Sequence, residues 1–592
     1  MNILTRREFL KISTLSACTL VISTGLSGCD SDDNNIAVGF KHGIASGDPL
    51  SDKIIIWTRV TTEAESVEVH YEVATDEAFV NVIHNGVVNT DVSTDYTVKI
   101  DIQDLEAGTY YYYRFSSNQT TSSIGKMKTL PVGSVESVKM AVFSCANYTN
   151  GYFNAYMEAS KIENLDVSLH LGDYIYEYGT YYNDDFEAKV PSYATINASA
   201  IGREFPENNN KECIVLNDYR KRYSLYHTDA GLQALHKAAP MIVVWDDHEI
   251  ANDAYAEGAV NHDISEGEYD TRVEVALKAY FEWLPIRPIS NKKEIYRSFK
   301  FADLVSLNML ETRILDRDEQ LNYTSYYDSE GNFDAVSFRA DLTAVERTMM
   351  GTTQLEWLQD KMARSTTTWQ VLGQQVLMGR MNLPAEILTP IGMLENPEVF
   401  GITTEVLLLQ INNSLGELAQ IKGRILQGDL SVSDEKKARV NTTLPYNLDA
   451  WDGYFAERET ILGTAKAYNK NLVVLTGDTH NSWANELKDM NGKKIGVEFA
   501  TSSVSSPGLE EYLSLTSIEE AMQLEGTLEL LIDDLKYTNL YDRGFMEVVF
   551  TAQEVISTWH YVSNYDSSIY TMNTQRVKSL KCLAGDNALT AV

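Results

Sequence analysis

The sequence predicts an α/β body of central β-sheets flanked by helices, preceded by an antiparallel β-sandwich. From Val38 to about Leu130 the chain runs in short alternating segments separated by turn residues, with no helical period. From Val138 onward, apolar runs rich in β-branched residues alternate with segments of helical spacing. Polar residues of metal-ligating type stand just after several of these runs. In open α/β sheets that is where side chains leaving the strands converge.

The order of elements starts with a leader. Thr5-Arg6-Arg7-Glu8-Phe9-Leu10-Lys11 precedes an apolar stretch from Ile12 to about Leu26, the twin-arginine export pattern. The stretch is shorter than the roughly 20 residues that span a bilayer, so residues 1–28 read as a signal peptide. Leu26-Ser27-Gly28-Cys29 resembles a lipobox, in which cleavage precedes a cysteine that is then lipidated. Cys29 is therefore the expected membrane anchor, and residues 29–37 an acidic tether. An ordinary cleaved signal with a chance cysteine is the alternative. The implied address is the bacterial envelope, periplasm or cell surface. Because the twin-arginine route carries folded proteins, a metal would be acquired before export.

Residues 38–132 form the expected sandwich. Ile54–Val60, Ser66–Val73, Thr97–Ile102 and Tyr110–Phe115 are its clearest strands. The Leu105-x-x-Gly108-x-x-Tyr111 step resembles the corner of fibronectin III-like domains, and nothing in it is catalytic. Residues 133–592 form the α/β body, with strands at Val138–Phe143, Leu165–Leu171, Met241–Trp245, Leu304–Leu310 and Leu472–Thr476. Helical spacing covers Gly151–Asn164, Asp218–Lys237, Glu266–Trp283 and Thr353–Ser365. After Gly496 strands are expected to dominate, closing on a hairpin at Arg543–Val562. Insertions are expected near 181–213, over the site, and near 383–443, as a cap or rim.

Composition narrows the function. A chain of 592 residues with 44% apolar content builds large cores. A net charge of −35 repels polyanions and argues against duplex nucleic-acid binding. It leaves room for small phosphate esters whose charge is offset by bound cations. Beyond the leader only Cys145, Cys213 and Cys582 remain, too few for a disulfide scaffold.

Four strand ends carry the chemistry: Ser144-Cys145-Ala146-Asn147, Gly172-Asp173-Tyr174-Ile175-Tyr176, Asp246-Asp247-His248-Glu249 with Asn252 beyond, and Gly477-Asp478-Thr479-His480. Taken singly, each is also what a turn or helix start requires. Together they would bring carboxylates into one cleft, where mutual repulsion would neutralise them unless cations lay between. Metal binding is the economical explanation. His170, inside an apolar strand, reads as a core histidine.

These segments, with Val244–Asp253 and the early His42-Gly43-Ile44-Ala45-Ser46-Gly47-Asp48-Pro49, resemble the motifs of PhoD-type alkaline phosphatases. Those are calcineurin-like metallophosphoesterases, and the resemblance spans nearly the whole mature chain. It implies a metallophosphoesterase-type sandwich holding Fe(3+) and Ca(2+). The implied ligands are Cys145, Asp173, Tyr176, Asn252, Asp478 and His480, with Asp246 or Asp247, and Asp173 is the natural bridging ligand. Thiolate and tyrosinate suit ferric iron, while carboxylate and amide oxygens suit calcium. The chain departs from the family where Ala146 and Asn147 follow the cysteine, and where Glu311 stands in Leu310-Glu311-Thr312-Arg313.

The implied reaction is hydrolysis of phosphomonoesters or phosphodiesters by metal-activated hydroxide, serving phosphate acquisition. Asp173 and His248 are the candidate catalytic residues, with His248 donating a proton or contacting phosphate. Arg313 has two roles open: pairing with phosphate, or holding an acidic neighbour, which is favoured. A surface-anchored binding lipoprotein for phosphate compounds or glycans, without turnover, is the alternative from another class.

Overall fold

The computed structural model describes residues 37–180, 198–328, 332–393 and 401–592. The signal peptide, Cys29, residues 29–36 of the tether and residues 181–197 of the first expected insertion lie outside the described residues. Among the described residues, no helix is long and apolar enough to cross a membrane.

Two sheets packed face to face build the body. The larger has ten strands, and the smaller has seven. At the centre of the large sheet, Ser137–Phe143, Val167–His170 and Met241–Val243 run parallel. At the centre of the second, Val305–Met309, Trp369–Gly373, Asn471–Thr476 and Lys494–Ala500 run parallel. Strand alternation assigns the faces: Val473 and Leu475 point into the layer between the sheets, Leu472 and Val474 outward. Helices Leu216–Tyr226, Ala230–Ala238 and Tyr269–Trp283 bury apolar stripes against the first sheet. Gly351–Arg364 and Phe455–Ala467 cover the outer face of the second. With helices outside and two sheets inside, all the parallel strands' carboxyl ends open on one rim.

The amino-terminal segment is a sandwich whose one sheet is shared with the body. Ile44–Gly47 pairs antiparallel with Ile54–Arg59 and parallel with Met241–Val243, so three early strands extend the ten-stranded sheet. The opposing sheet contains Val82–Asp91, Ser66–Ala74, Tyr110–Ser117 and Gly125–Lys128. Ile54, Ile56, Val69, Val73, Tyr113 and Phe115 fill the space between. Trp57 points the other way, donating to the Glu282 carbonyl at 2.8 Å and packing on His227 and Trp283. The corner forms as its spacing suggested: the Glu106 amide donates to the Tyr111 hydroxyl at 2.8 Å.

Elsewhere the structure corrects the expected elements. The Asp218–Lys237 stretch breaks into two helices because Asp229 caps the second, accepting from the Gly231 and Leu232 amides. Strands do not simply dominate after Gly496: helix Ile518–Leu531 intervenes, its first turn capped by Ser517, which accepts from the Glu520 amide. The closing hairpin is present as Gly544–Thr551 and Glu554–Tyr561. Around the second insertion, Asn382–Pro384 pairs antiparallel with Thr443–Pro445 as a neck. Beyond it stand helices Ala385–Met393, Thr404–Leu426 and Asp434–Asn441. They share a small core with Leu531 of the neighbouring helix.

Candidate metal centre

Three of the four strand ends make a tight exit. Cys145, Asp173, Asp478 and His480 all adopt left-handed backbone, with φ of 60°, 56°, 62° and 61°. Such conformations cost about 1 kcal/mol or more per residue and persist where the surroundings over-determine them. The two glycines of the Gly-Asp pairs explain how the turns fit together. A Cβ on Gly172 would lie 2.3 Å from Asp246 Cβ, and one on Gly477 would lie 2.1 Å from Ser144 Oγ. Only bare backbone at these positions lets neighbouring turns approach.

The side chains converge. Cys145, Asp173 and His480 place ligand atoms within 4.8 Å of one another, as do Asp173, Asp247 and His248. Asp173 is common to both groups. The Tyr176 hydroxyl donates to Asp173 Oδ2 at 2.8 Å, accepts from Ser506 at 2.8 Å, and lies 3.0 Å from His480 Nε2. His480 Nδ1 faces the Pro507 carbonyl, which only accepts, so the proton sits on Nδ1 and the Nε2 lone pair faces the cluster. Asn252, half-buried, stands further out, its Oδ1 accepting from the Tyr178 hydroxyl at 2.8 Å.

The electrostatics fit a cation. Asp173 Oδ1 and Asp246 Oδ2 are buried without a hydrogen-bond partner. Burial pushes the Cys145 thiol well up, with Asp173 adding to it, and the Tyr176 phenol is raised by burial, Asp173 and Cys145. Asp246 and Asp478 are likewise pushed well above the carboxylate range by burial, against the pull of Arg313. Groups that repel ionisation this strongly around two orphaned oxygens fit positive charge at the centre.

Three buried acids that the sequence reading left without a role organise this centre. Glu249 accepts from the amides of Asp173 (3.0 Å), Asp246 (2.7 Å) and Tyr174, clamping two ligand turns together. Burial and Asp173 push its own carboxyl up to about 8. Glu177 accepts from His248 Nδ1 at 2.7 Å and from the Asn252 amide at 2.8 Å. Burial opposes charge on His248, but Glu177, Asp173 and Asp247 outweigh it and raise the imidazole well above its ordinary range. The His248 ring lies 4.1 Å from that of Tyr176. Glu311, at the family departure, accepts from Trp245 Nε1 and the amides of Arg313, Ile314 and Leu315, all at 2.9 Å. Glu177 and Glu249 stand inside the motif segments themselves, which was the available signal.

Arg313 has no exposed side-chain surface. Its guanidinium contacts Asp246, binds both oxygens of Asp449 at 2.9 Å and reaches Asp478 at 3.1 Å. Asp449, absent from the sequence reading, comes from the segment returning from the second insertion. At the other departure, Asn147 Oδ1 accepts from the Thr149 amide and hydroxyl. His170 is buried, with Nε2 2.7 Å from the Tyr156 hydroxyl. Cys213 and Cys582 are buried free thiols.

The comparisons agree with this architecture. The family model of the PhoD-like phosphatase matches residues 140–559, and that of the PhoD-like phosphatase N-terminal domain matches residues 27–131. Alkaline phosphatase D of Bacillus subtilis (strain 168) is 32% identical over 532 residues, covering 86% of this chain and 77% of that protein. A solved structure described as the structure of PhoD superposes with a TM-score of 0.70 at 27% identity, covering 95% of this chain and 93% of its own. With both family models matched in order and the strand-end cluster assembled between the two sheets, the chain belongs to the PhoD-like phosphatase family and is a phosphoesterase hydrolase.

Proposed function

We propose that this phosphoesterase depends on ferric iron and calcium and works after export, releasing phosphate from small phosphomonoesters or phosphodiesters outside the cytoplasm. The observation that carries the metal dependence is the pair of orphaned buried carboxylate oxygens, on Asp173 and Asp246, inside the ligand cluster. Cys145, Tyr176, His480 and Asp173 would hold the iron. Asp173, Asp247 and Asn252 would hold calcium, and Asp246 and Asp478 would add carboxylate oxygens to the set. When bound, such cations offset the charge of the phosphoryl oxygens and make a water acidic enough to attack near neutral pH.

The chain's own residues do the rest. Asp173 joins the two ligand groups, so its carboxylate sets their spacing. His248 has Nδ1 committed to Glu177, so any proton it gives to a leaving oxygen departs from Nε2. Arg313, wholly engaged by Asp246, Asp449 and Asp478, is assigned to holding those acids rather than to contacting phosphate. The leader sequence supports export by the twin-arginine route and a lipid anchor at Cys29.

The test is hydrolysis of bis-p-nitrophenyl phosphate by the chain from Cys29 onward, with iron and calcium supplied, beside Asp173→Asn. Turnover should require both metals and fall about a hundredfold or more in the variant. Full activity in chelator, or an Asp173→Asn variant as fast as the parent, would sink the reading. Incorporation of labelled palmitate into cells, lost on Cys29→Ala, tests the anchor separately.

A further inference from the structure

A narrow apolar cleft lies beside the metal centre, between the cap helices and helix Ile518–Leu531. Met381, Ile387, Ile411, Leu415 and Leu528 line its depth, while Tyr446, Trp483, Leu509 and Leu524 stand among its walls. Three chain segments run directly from the ligand cluster into this cleft. His480 leads within three residues to Trp483, whose Nε1 donates to the Thr479 hydroxyl at 2.9 Å. Pro507, which holds His480, leads within two to Leu509, whose amide donates to Asn481 at 3.1 Å. Asp449, which holds Arg313, lies three residues from Tyr446, whose amide donates to the Met381 carbonyl at 2.8 Å.

Resting on the phosphoesterase reading, we propose that this cleft receives a hydrocarbon chain carried by the phosphate ester, so that amphiphilic esters are the preferred substrates. Its lining is aliphatic and aromatic, with none of the charged or amide side chains that select a sugar or nucleobase. The adjacency to His480 means that one substrate can fill both places, its phosphorus at the ligands and its chain in the cleft. The wall residues Leu524 and Leu509 are half-buried, leaving an edge at which a chain can enter. Each methylene that leaves water for such a lining strengthens binding several-fold.

The experiment uses the metal-loaded chain and three diesters, p-nitrophenyl methyl, butyl and octyl phosphate, which share one chromophore. The readout is the ratio of kcat/KM for the longer esters to that for the methyl ester. We expect a rise of about fiftyfold from methyl to butyl and a further rise to octyl. Leu524→Glu, and separately Leu513→Glu at another residue lining the cleft, should bring the ratio close to one. A ratio near one in the unmodified chain, with the methyl ester turned over, overturns the proposal. Octylphosphonate, titrated against the protein's tryptophan fluorescence with methylphosphonate beside it, separates this from failure of the parent reading. If no ester is hydrolysed, saturable octylphosphonate binding that Leu524→Glu abolishes still supports the cleft. Equal response to both phosphonates overturns it.

Discussion

At the scale of single residues, the centre is an arrangement of charges that would not tolerate one another without help. Arg313 neutralises part of the cluster from behind, Glu249 fastens two turns together, and Glu177 raises the pKa of His248. The last of these is the most readily tested. Glu177→Gln keeps the size of the side chain but removes the carboxylate that raises the His248 pKa. The imidazole then loses its proton at lower pH. If protonated His248 assists the leaving group, the alkaline limb of the pH–activity profile should move to lower pH, and kcat should fall about tenfold or more. An unchanged limb with an unchanged kcat would remove His248 from proton transfer. Arg313 left two roles open in the sequence, with holding an acidic neighbour favoured; the structure supplies the neighbours, Asp246, Asp449 and Asp478.

At the scale of elements, local signals were good where they were chemically specific. The Leu105-x-x-Gly108-x-x-Tyr111 step specified a corner, and the Glu106–Tyr111 hydrogen bond is there. Tyr111→Phe leaves that amide without its acceptor, at a cost of about 1–2 kcal/mol. Hydrogen exchange should show lowered protection across Thr97–Ile102 and Tyr110–Ser117, and unaltered protection would mean that the bond is dispensable. Helix Ile518–Leu531 was missed because its apolar positions, Ala521, Leu528 and Leu531, are interleaved with acids. Ser517 followed three residues on by Glu520 was the overlooked start signal. The second insertion was read from the sequence as a cap or rim near 383–443. That its neck closes as a two-stranded ribbon, and that its helices form an apolar wall beside the ligands, depends on pairing over sixty residues of sequence.

At the scale of the molecule, the amino-terminal strands and the body behave as one sheet. Ile44–Gly47 pairs with Met241–Val243, and Trp57 packs on His227 and Trp283. A chain beginning at residue 132 would expose that strand edge and that aromatic face. It should aggregate or bind hydrophobic dyes, whereas a soluble, fully active 132–592 fragment would refute the dependence. The same region predicts acid sensitivity. Burial drives His42 and His236 down to about 3 and His227 well below its usual range; Arg59 and Lys41 add to His42, and His236 and His42 to His227. The Tyr174 hydroxyl sits between His227 and His236, at 3.0 and 3.1 Å. In the unfolded chain these imidazoles take up protons near pH 6.5. Stability is therefore full above that value and drains as pH falls toward 3. The urea midpoint should drop between pH 7 and 5, less steeply in His236→Gln, and a flat midpoint would exclude the effect.

The sequence by itself determined the central strands of the body, the residue types at the four strand ends, and through them the family and the hydrolase chemistry. These are local matters: period, turn chemistry and ligand type are written within ten residues of one another. Tertiary structure alone decided which polar groups meet. Residues far apart in the chain, such as Tyr176 with His480 and Arg313 with Asp449, come together because parallel strands in two packed sheets end on one rim. A buried charge finds its partner across the fold, and no spacing along the chain records that distance.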